Sequence, residues 1–413
     1  MKILIANTLY SPDMVGGAEI STQILAEGLV AAGAEVCVVC ATGTGVDRVS
    51  ELNGVKIYRL RLNNFYWPHN SNKHSRIMKM IWHAVDVHNV LMALKLKKII
   101  QREKPDIVST SNLACLSIGI WRISKRAGVP IVHTARDYYL MCPSSKMLSH
   151  NKSCERQCGV CARYTGPKKT ASQRVDAVIG VSRFVLQKHL DSGYFANAST
   201  TGVINDCYLP MQSDVPPVVS DVLREGVVRL GVLGRVSPEK GIEVLLDQLC
   251  RDSSLNNWTL SIAGSGDAAY LAALKSTYND PRINFVGHVV PAQFLQSIDI
   301  LVVPSKWNEP FGRVTVEAYS YGVPVVGSNT GGIPEVIEPN SHLVFDIDQP
   351  HTVIDKIHEA VRLLKDPQTP TRLRDYAESF SPKAMVEAYL EVYKNALKAR
   401  PYSVAAAHQK VTS

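Results

Sequence analysis

The sequence predicts an α/β protein with two doubly wound, Rossmann-like domains that face each other across a cleft. Short apolar runs of strand length alternate with helix-like segments along the chain, which is the pattern of parallel sheets covered by helices on both faces. The chain has 413 residues, of which 46% are hydrophobic, and this size exceeds what a single core usually supports. Two successive series of such elements therefore indicate two domains.

The first series predicts an N-terminal domain over residues 1–208, with strands at residues 2–6, 35–39, 106–109, 130–133, 177–180 and 201–204. The polar, proline-containing stretch 209–220 is predicted to be a linker. The second series predicts a C-terminal domain over residues 221–381, with strands at residues 228–233, 259–263, 283–286, 300–303 and 324–327. A last helix is predicted over residues 382–399, with a return to the N-terminal domain as an option, and residues 400–413 are predicted to be disordered.

Positive charge is concentrated in the first half of the chain. Residues 1–206 carry 26 Lys and Arg against 14 Asp and Glu, whereas residues 207–413 carry 19 against 23. This asymmetry predicts an anionic partner: lipid headgroups, a pyrophosphate-linked acceptor or nucleic acid. The best candidate contact is the stretch 73–104, where apolar residues at helical spacing are surrounded by Lys and Arg. Contact with an anionic membrane surface and ordinary packing of an amphipathic helix on the sheet explain that pattern equally well.

Nothing in the sequence resembles a membrane span. The longest apolar runs are of strand length rather than about 20 residues, and the first six residues predict a strand rather than a signal peptide. We therefore expect a cytoplasmic protein, with peripheral association at the inner face of the cell membrane as an alternative that the basic stretch leaves open.

Two glutamates, Glu309 and Glu317, bracket a turn that opens a predicted helix over about residues 313–321. A helix N-terminus offers free backbone N–H groups to a diphosphate, and a carboxylate accepts hydrogen bonds from two neighbouring hydroxyls of a sugar or ribose. The spacing alone favours two solvated glutamates, so the surrounding residues decide. Those residues form the segments E-P-F-G-R-V-T-V-E-A at 309–318, G-V-P-V-V-G at 322–327 and G-G-I-P-E at 331–335.

Two further segments suit an anionic ligand. In residues 231–241, Gly234 lets the backbone approach a ligand, while Arg235 and Lys240 can neutralise a diphosphate. In the first half, Gly16 and Gly17 suit a tight turn between a strand and a helix. Each segment by itself also fits an ordinary loop with no ligand.

Together these segments resemble the retaining family 4 glycosyltransferases of the GT-B fold, also called glycosyl transferases group 1. The resemblance rests on the Glu-x7-Glu motif and its G-x-P-V-V continuation, a G-R-L-x-x-x-K-G-like element and a G-G-A-E loop. It covers nearly the whole chain and implies the GT-B fold, with an acceptor-binding first domain and a nucleotide-sugar-binding second domain. It also implies transfer of a sugar from a UDP- or GDP-sugar to a glycan or polyprenyl-linked acceptor, in cell-surface polysaccharide or lipopolysaccharide biosynthesis. No cofactor is implied for catalysis.

The resemblance also implies roles for individual residues. Arg235 and Lys240 would hold the diphosphate, Glu309 the transferred sugar and Glu317 the ribose hydroxyls. The other implied donor contacts are Gly16, Gly17, Glu19, Gly234, Phe311, Gly312 and Arg313, with Gly287 and Val289 at the nucleobase.

One segment departs from the family pattern. Residues 133–143 align with the family's T-L-H-D-Y element and the C-P that follows, but Arg136 stands at the usual histidine position. A guanidinium cannot accept a hydrogen bond or act as a base near neutral pH, so we expect Arg136 to bind phosphate or an acidic sugar instead. Asp137 is expected to be a cleft residue, with a structural ion pair to a neighbouring base as the alternative.

Four of the nine cysteines, Cys142, Cys154, Cys158 and Cys161, cluster within 20 residues. Four thiolates can ligate one structural zinc ion. The irregular first spacing leaves a reduced cluster or a partial disulfide as alternatives. A D-x-D sequence at residues 346–348 is predicted to be a strand-end loop rather than a catalytic metal site.

Other functions remain to be weighed against sugar transfer. A non-catalytic nucleotide-sugar-binding GT-B protein is the main alternative, which Arg136 makes conceivable. A phosphorylase or a sugar-nucleotide hydrolase could use the same cleft, but the lysine motif that usually binds a phosphorylase's cofactor is not found. The intact glutamate and Arg/Lys pairs argue against a nucleic-acid binder, so no nucleic-acid partner is expected.

Overall fold

The computed structural model describes residues 1–13, 16–68, 74–149, 152–208 and 226–399. The predicted linker 209–220, the predicted tail 400–413 and Lys73 therefore lie outside the described residues. The described residues form two parallel-sheet domains of Rossmann type, which confirms the predicted fold class.

The N-terminal domain is built on an eight-stranded sheet and a small hairpin. Its strands are β1 (Lys2–Ala6), β2 (Glu35–Thr42), β3 (Arg48–Leu52), β4 (Val55–Arg61), β5 (Ile107–Thr110), β6 (Ile131–Ala135), β7 (Leu148–Ser149), β8 (Lys152–Ser153), β9 (Ala177–Gly180) and β10 (Thr200–Val203). The large sheet has the order β10-β9-β6-β5-β1-β2-β4-β3, and β7 pairs with β8 alone. All its neighbouring strands are parallel except β3, which runs antiparallel to β4.

The helices of this domain are α1 (Gly17–Ala31), α2 (Arg76–Val87), α3 (Val90–Glu103), α4 (Gly119–Arg126), α5 (Gly159–Ser172) and α6 (Arg183–Asp191). The basic stretch 73–104 thus contains two helices rather than one. Asn89 separates them, because its side chain caps α3 by accepting a hydrogen bond from the backbone N–H of Met92 at 3.0 Å.

The C-terminal domain is built on a six-stranded parallel sheet with the strand order β13-β12-β11-β14-β15-β16. These strands are β11 (Val228–Leu233), β12 (Trp258–Ala263), β13 (Ile283–Gly287), β14 (Ile300–Val303), β15 (Val325–Ser328) and β16 (Val344–Phe345). The helices are α7 (Ile242–Arg251), α8 (Ala268–Thr277), α9 (Pro291–Gln296), α10 (Arg313–Ser320), α11 (Ile333–Val336), α12 (Thr352–Leu363) and α13 (Thr369–Ala377). Short 3-10 helices lie at Pro238–Lys240, Pro339–Ser341 and Glu378–Phe380.

The last helix, α14 (Pro382–Lys398), packs on the N-terminal domain. The hydroxyl of its Tyr393 donates a hydrogen bond to Ser109 Oγ on β5 at 2.8 Å. A Cβ added to Gly28 on α1 would lie 2.5 Å from Val386 Cγ2, so the glycine allows α1 and α14 to approach closely. The chain therefore passes from one domain to the other twice.

The β3–β4 hairpin was not predicted from the apolar runs, because β3 is largely exposed and polar. Its turn residues Asn53 and Gly54 have φ values of 51° and 77°. Asn-Gly is the usual sequence signal for a two-residue hairpin turn, so a signal was present in the sequence. Among the described residues, no helix has both the length and the apolar character needed to cross a bilayer.

Candidate active site

Glu309 lies in the loop between β14 and α10, and only 7% of its surface is exposed. Lys240, at the end of the 3-10 helix Pro238–Lys240, places its Nζ 2.7 Å from Glu309 Oε1. The backbone of Glu309 is fixed on both sides, since its N–H donates to Trp307 O and its carbonyl accepts from Gly332 N, both at 2.7 Å. The structure therefore brings Lys240 and Glu309 together as an ion pair on a well-braced loop.

The turn after Glu309 starts helix α10 in the predicted way. Gly312 has φ of +92° at the N-cap position, a conformation that favours glycine. Phe311 is buried and packs against Phe380, with 6.2 Å between the ring centroids. Phe311 therefore has its ring in the core, and it is the backbone of this turn that opens the helix N-terminus.

Arg313 and Glu317 face each other on consecutive turns of α10, with Arg313 Nε 3.0 Å from Glu317 Oε1. The angles at this contact do not make a hydrogen bond, and no other described residue donates to that oxygen. Burial raises the pKa of Glu317, while the charge of Arg313 lowers it. Glu317 Oε1 is therefore a buried acceptor that a hydroxyl donor of a ligand would satisfy.

The diglycine loop of the N-terminal domain reaches this helix. Glu19 accepts a hydrogen bond from Gly16 N at 2.8 Å, which fixes the first turn of α1. The Gly17 carbonyl lies 3.5 Å from Arg313 Nη1, and a Cβ at Gly17 would lie 3.3 Å from Arg313 Nε. The structure thus brings the loop and α10 together across the cleft between the domains.

Three glycines follow the carboxyl ends of neighbouring strands in the C-terminal domain: Gly234 after β11, Gly264 after β12 and Gly287 at the end of β13. Gly264 N donates a hydrogen bond to Gly287 O at 2.7 Å, and a Cβ at Gly264 would lie 1.7 Å from Gly234 O. Ligands of open α/β sheets bind at this edge. Arg235 is exposed there and forms no ion pair with any described residue, and Val289 is partly exposed just beyond Gly287. Gly264 was missed, although it follows a predicted strand.

Arg136 is buried and forms an ion pair with Asp206. Its Nη2 also lies 3.5 Å from the hydroxyl of Tyr389 on α14. The guanidinium thus already has a carboxylate partner where the chain leaves the N-terminal domain. The expectation that Arg136 binds phosphate or an acidic sugar gains no support from this position, because Asp206 neutralises the charge. The distant Asp206 gave no signal in the sequence.

Asp137 is partly exposed and is held by two hydrogen bonds, from Asn112 Nδ2 at 2.9 Å and from Tyr139 N at 2.8 Å. Burial raises the pKa of Asp137 to about 6, the charge of Lys168 lowers it and that of Glu19 raises it. No base in the described part of the chain forms an ion pair with this carboxylate. Asp137 is therefore held by neutral donors, and its role as a cleft residue stays a prediction.

The four clustered cysteines are free thiols. Cys142 and Cys161 have their sulfur atoms 3.7 Å apart, and Cys158 caps α5 by accepting from Cys161 N at 3.4 Å. Within the described ranges, no group of three or more His, Cys, Asp or Glu side chains is arranged to hold a metal ion. The structural zinc predicted at Cys142, Cys154, Cys158 and Cys161 therefore gains no support from the geometry. In the D-x-D loop, Asp346 accepts hydrogen bonds from Asn329 Nδ2 and Asp348 N at 2.9 and 3.0 Å.

Sequence reasoning missed a set of residues that join the two domains beside Glu309. The Tyr138 hydroxyl donates to Asn308 O at 2.7 Å, and Ser153 Oγ accepts from Asn308 N at 2.9 Å. Lys146 Nζ lies 2.7 Å from Glu239 Oε1, and Trp307 Nε1 donates to Lys146 O at 2.6 Å. Tyr138 stands in the segment that aligns with the T-L-H-D-Y element, directly after Asp137, whereas Lys146 and Ser153 follow in a segment without a known motif.

Comparison with known proteins decides the family. The profile of glycosyl transferases group 1 matches residues 220–380, and that of Glycosyltransferase Family 4 matches residues 15–199. A Klebsiella pneumoniae protein, described as an uncharacterized 42.6 kDa protein in the cps region, is 34% identical over 397 residues, which are 95% of this chain and 100% of that protein. The chain belongs to the group 1, family 4 glycosyltransferases. The predicted family is thus confirmed, and the protein is an enzyme of the glycosyltransferase class.

Similarity to solved structures shows the fold of this glycosyltransferase. Sucrose-phosphate synthase from Thermosynechococcus elongatus superimposes with a TM-score of 0.70 at 19% identity, covering 96% of this chain and 99% of that one. HepE from Anabaena, in complex with UDP-glucose, gives a TM-score of 0.64 at 17% identity, covering 96% and 100%. These similarities show the GT-B arrangement of two Rossmann-like domains. The roles of the individual site residues in this glycosyltransferase stay predictions.

Proposed function

We propose that this glycosyltransferase moves a sugar from a nucleoside-diphosphate donor to a glycan or polyprenyl-linked acceptor, with retention of anomeric configuration. The observation that carries the proposal is the convergence of two Arg/Lys–Glu pairs, Lys240–Glu309 and Arg313–Glu317, at the start of α10. A UDP-sugar donor is favoured, because HepE, a protein of the same fold, is in complex with UDP-glucose, and a GDP-sugar is the other donor that the family resemblance implies. The cps-region relative favours a role in surface polysaccharide or lipopolysaccharide biosynthesis.

The proposed donor lies with its diphosphate at the N-terminus of α10, where free backbone N–H groups and the helix dipole favour negative charge. Arg235 is exposed at the same sheet edge, and Lys240 is held beside Glu309, so both cations lie where they can contact the diphosphate. As the sugar departs, negative charge develops on the phosphate, and these two fixed cations stabilise it. No metal ion is required for this step.

The two glutamates would divide the hydroxyl groups of the donor between them. Glu317 presents a buried, unsatisfied oxygen, which suits the hydroxyls of the ribose. Glu309 keeps one oxygen beyond its contact with Lys240 and would orient the transferred sugar rather than attack it. Gly16, Gly17 and Glu19 would cover the sugar and diphosphate from the other domain, and Asp137 would line the acceptor side. Closure over the donor limits hydrolysis by excluding water.

The test is thermal stabilisation by a panel of UDP-, GDP- and ADP-sugars. We expect one donor class to raise the Tm of the native protein, and Glu317→Ala and Lys240→Ala to lose that rise. Lys356→Ala is the matched control, because Lys356 is paired with Glu359 on α12 and should leave the rise unchanged. Absence of stabilisation by every donor would contradict the proposal. Donor binding without turnover on any glycan or lipid-linked acceptor would favour the non-catalytic alternative.

We further propose that helices α2 and α3 contact an anionic membrane surface at the inner face of the cell membrane. Helices α2 and α3 each have a buried face, with Trp82 of α2 and Met92 and Leu96 of α3 packed into the core. They nevertheless expose a second set of apolar side chains: Ile77, Met80, Ile81, Val90, Leu91 and Leu94. Packing on the sheet does not account for this second set. Exposed basic residues on α3, including Lys97 and Lys98, complement anionic headgroups.

Sedimentation with lipid vesicles tests this surface. We expect the native protein to bind vesicles containing phosphatidylglycerol and to bind pure phosphatidylcholine vesicles weakly. The double variant Ile77→Glu with Leu94→Glu should lose binding, because it puts charge where apolar contact is proposed. Val46→Glu is the control, since Val46 is also exposed but lies outside these helices. Equal binding by the double variant and the control would contradict the proposal.

A further inference from the structure

We infer that the N-terminal domain positions Glu309 through a clasp, which we define as Tyr138, Lys146 and Ser153. The inference rests on the proposed function, because it gives these residues a task in orienting the transferred sugar. They are positioning residues: none of them belongs to the predicted donor contacts, and they act on the backbone that carries Glu309.

The clasp holds both polar groups of the Asn308 backbone. Ser153 Oγ accepts from Asn308 N at 2.9 Å and lies 3.3 Å from Lys306 O, to which it donates. The Tyr138 hydroxyl donates to Asn308 O at 2.7 Å. That carbonyl belongs to the peptide group linking Asn308 to Glu309, so Tyr138 fixes the plane of the peptide from which Glu309 extends.

The clasp also contacts the residue next to the cation that pairs with Glu309. Lys146 forms an ion pair with Glu239 at 2.7 Å, and Glu239 directly precedes Lys240. The Glu239 carbonyl in turn accepts from the backbone N–H groups of Lys306 and Trp307, at 3.0 and 3.2 Å. One hairpin of the N-terminal domain therefore contacts the chain next to both members of the Lys240–Glu309 pair.

The base of this hairpin is anchored by the cysteine-rich segment. Cys142 precedes the hairpin and Cys154 follows it, with Cys154 N donating to Met147 O at 2.7 Å. Cys142 is buried with its sulfur 3.7 Å from that of Cys161 on α5. Gln157 Nε2 donates a hydrogen bond to Met141 O at 2.7 Å, which is a second contact between the two sides of the hairpin's base. The clasp is thus tied to the start of α5, which belongs to the N-terminal domain.

Single hydroxyl deletions separate positioning from a merely structural contact. Ser153→Ala and Tyr138→Phe each remove one hydrogen bond to Asn308, whereas Ser153→Thr keeps the hydroxyl and should restore it. Ser144→Ala is the matched control, because the Ser144 hydroxyl contacts Cys142 rather than the Glu309 loop. Hydrogen exchange of the peptide covering residues 304–312, in protein without nucleotide, reports on the contact itself. We expect faster exchange in Ser153→Ala than in the native protein and the Ser144→Ala control.

The second measurement compares the affinities for UDP, UDP-glucose, GDP and GDP-mannose. In Ser153→Ala and Tyr138→Phe we expect nucleotide affinity to stay unchanged, while the extra affinity contributed by the sugar falls roughly fivefold. Ser153→Thr should recover it.

Two results would overturn the inference. Unchanged exchange in Ser153→Ala would show that the contact does not hold the loop. Faster exchange with an unchanged sugar contribution would show that the contact holds the loop without positioning Glu309. If the native protein binds none of the four probes, the comparison is made with the donor that stabilises it in the thermal panel and with that donor's nucleotide. If no donor of the panel stabilises it, the proposed function and the positioning role both fail, while the exchange experiment still decides whether the clasp holds the loop.

Discussion

Glu335 Oε2 accepts a hydrogen bond from the backbone N–H of Arg183 at 2.6 Å, although the two residues belong to different domains. Its other oxygen accepts from Phe184 N, also at 2.6 Å. Arg183 begins helix α6, so a carboxylate of the C-terminal domain satisfies free N–H groups of the N-terminal domain and lies at the positive end of the helix dipole. This contact links closure of the domains to helix capping.

Glu335→Ala should therefore loosen the closed arrangement. Loss of a capping carboxylate costs about 1 kcal/mol, and we expect the free energy of unfolding in urea to fall by about that amount. Glu387→Ala on α14 is a suitable control, because the Glu387 side chain is largely exposed and its Oε1 lies 3.9 Å from Lys383 Nζ. An equal effect of the two variants would show that the interdomain cap contributes nothing.

Gly331 tests how tightly the loop around Glu309 is packed. Gly331 has φ of +60°, and an added Cβ would lie 2.3 Å from Glu309 O. Gly331→Ala should lower the free energy of unfolding by about 3 kcal/mol, because it adds a backbone clash to the cost of a left-handed conformation. Donor-dependent stabilisation should also disappear, since the added Cβ would displace the backbone of Glu309.

Gly33 provides the matched control for this substitution. It has φ of +83° and nothing within 4 Å of an added Cβ, so Gly33→Ala carries only the conformational cost of about 1 kcal/mol. Urea unfolding of both variants measures the difference. Equal losses would mean that the Gly331 loop can move aside.

The apolar runs and glycines were sufficient to predict six of the eight strands in the N-terminal sheet and five of the six in the C-terminal sheet, since buried parallel strands consist of short apolar segments and their ends need turn residues. Lys240 and Glu309 could also be singled out from the sequence, because they stand in segments that resemble known motifs. Their mutual contact could not be predicted, since 69 positions separate them in the chain.

Contacts between residues far apart in the chain left no local signal at all. Ser153 contacts Asn308 from 155 positions away, and Asp206 meets Arg136 from 70. Arg136 was expected to face a ligand because a sequence shows which cation is present but not which carboxylate lies beside it. Asn53 and Gly54 are different, because they carried a hairpin signal that was overlooked beside an exposed strand.

Asp137 should give the stability of the protein a distinctive pH dependence. Burial raises the pKa of Asp137 to about 6, above the value of about 3.9 for an unfolded chain. Between these values the folded protein binds more protons than the unfolded chain, so this residue's contribution to stability falls as the pH rises from about 4 to 6. Asp137→Asn cannot titrate and should escape this loss.

The stability of Asp137→Asn minus that of the native protein should accordingly increase by about 1 to 2 kcal/mol between pH 4 and pH 7. This free-energy difference is smaller than the full pKa shift of Asp137 would give, because the residue is partly exposed and solvent weakens the effect. Urea unfolding at the two pH values provides the measurement. Asp348→Asn is the control, since Asp348 is exposed. A difference that stays constant with pH would contradict the raised pKa.

The Lys240–Glu309 pair should show strong energetic coupling, because the carboxylate is largely buried while the ammonium is about one quarter exposed. Lys240→Met leaves a buried carboxylate without its partner, and Glu309→Gln leaves the ammonium without its counter-ion. The double variant should therefore be more stable than the sum of the single effects predicts. We expect a coupling free energy of about 1 to 3 kcal/mol from a double-mutant cycle in urea.

A second cycle on Lys356 and Glu359 calibrates this value. In that pair Lys356 Nζ lies 2.9 Å from Glu359 Oε2, three residues apart on α12 with both side chains partly exposed, and coupling in such helical pairs is typically about 0.3 to 0.5 kcal/mol. If the Lys240–Glu309 coupling were no larger, the pair would be a solvated contact rather than a preorganised part of the site. All three Lys240 and Glu309 variants should also lose donor-dependent stabilisation, because in the proposed function the cation contacts the donor's diphosphate and the carboxylate its sugar.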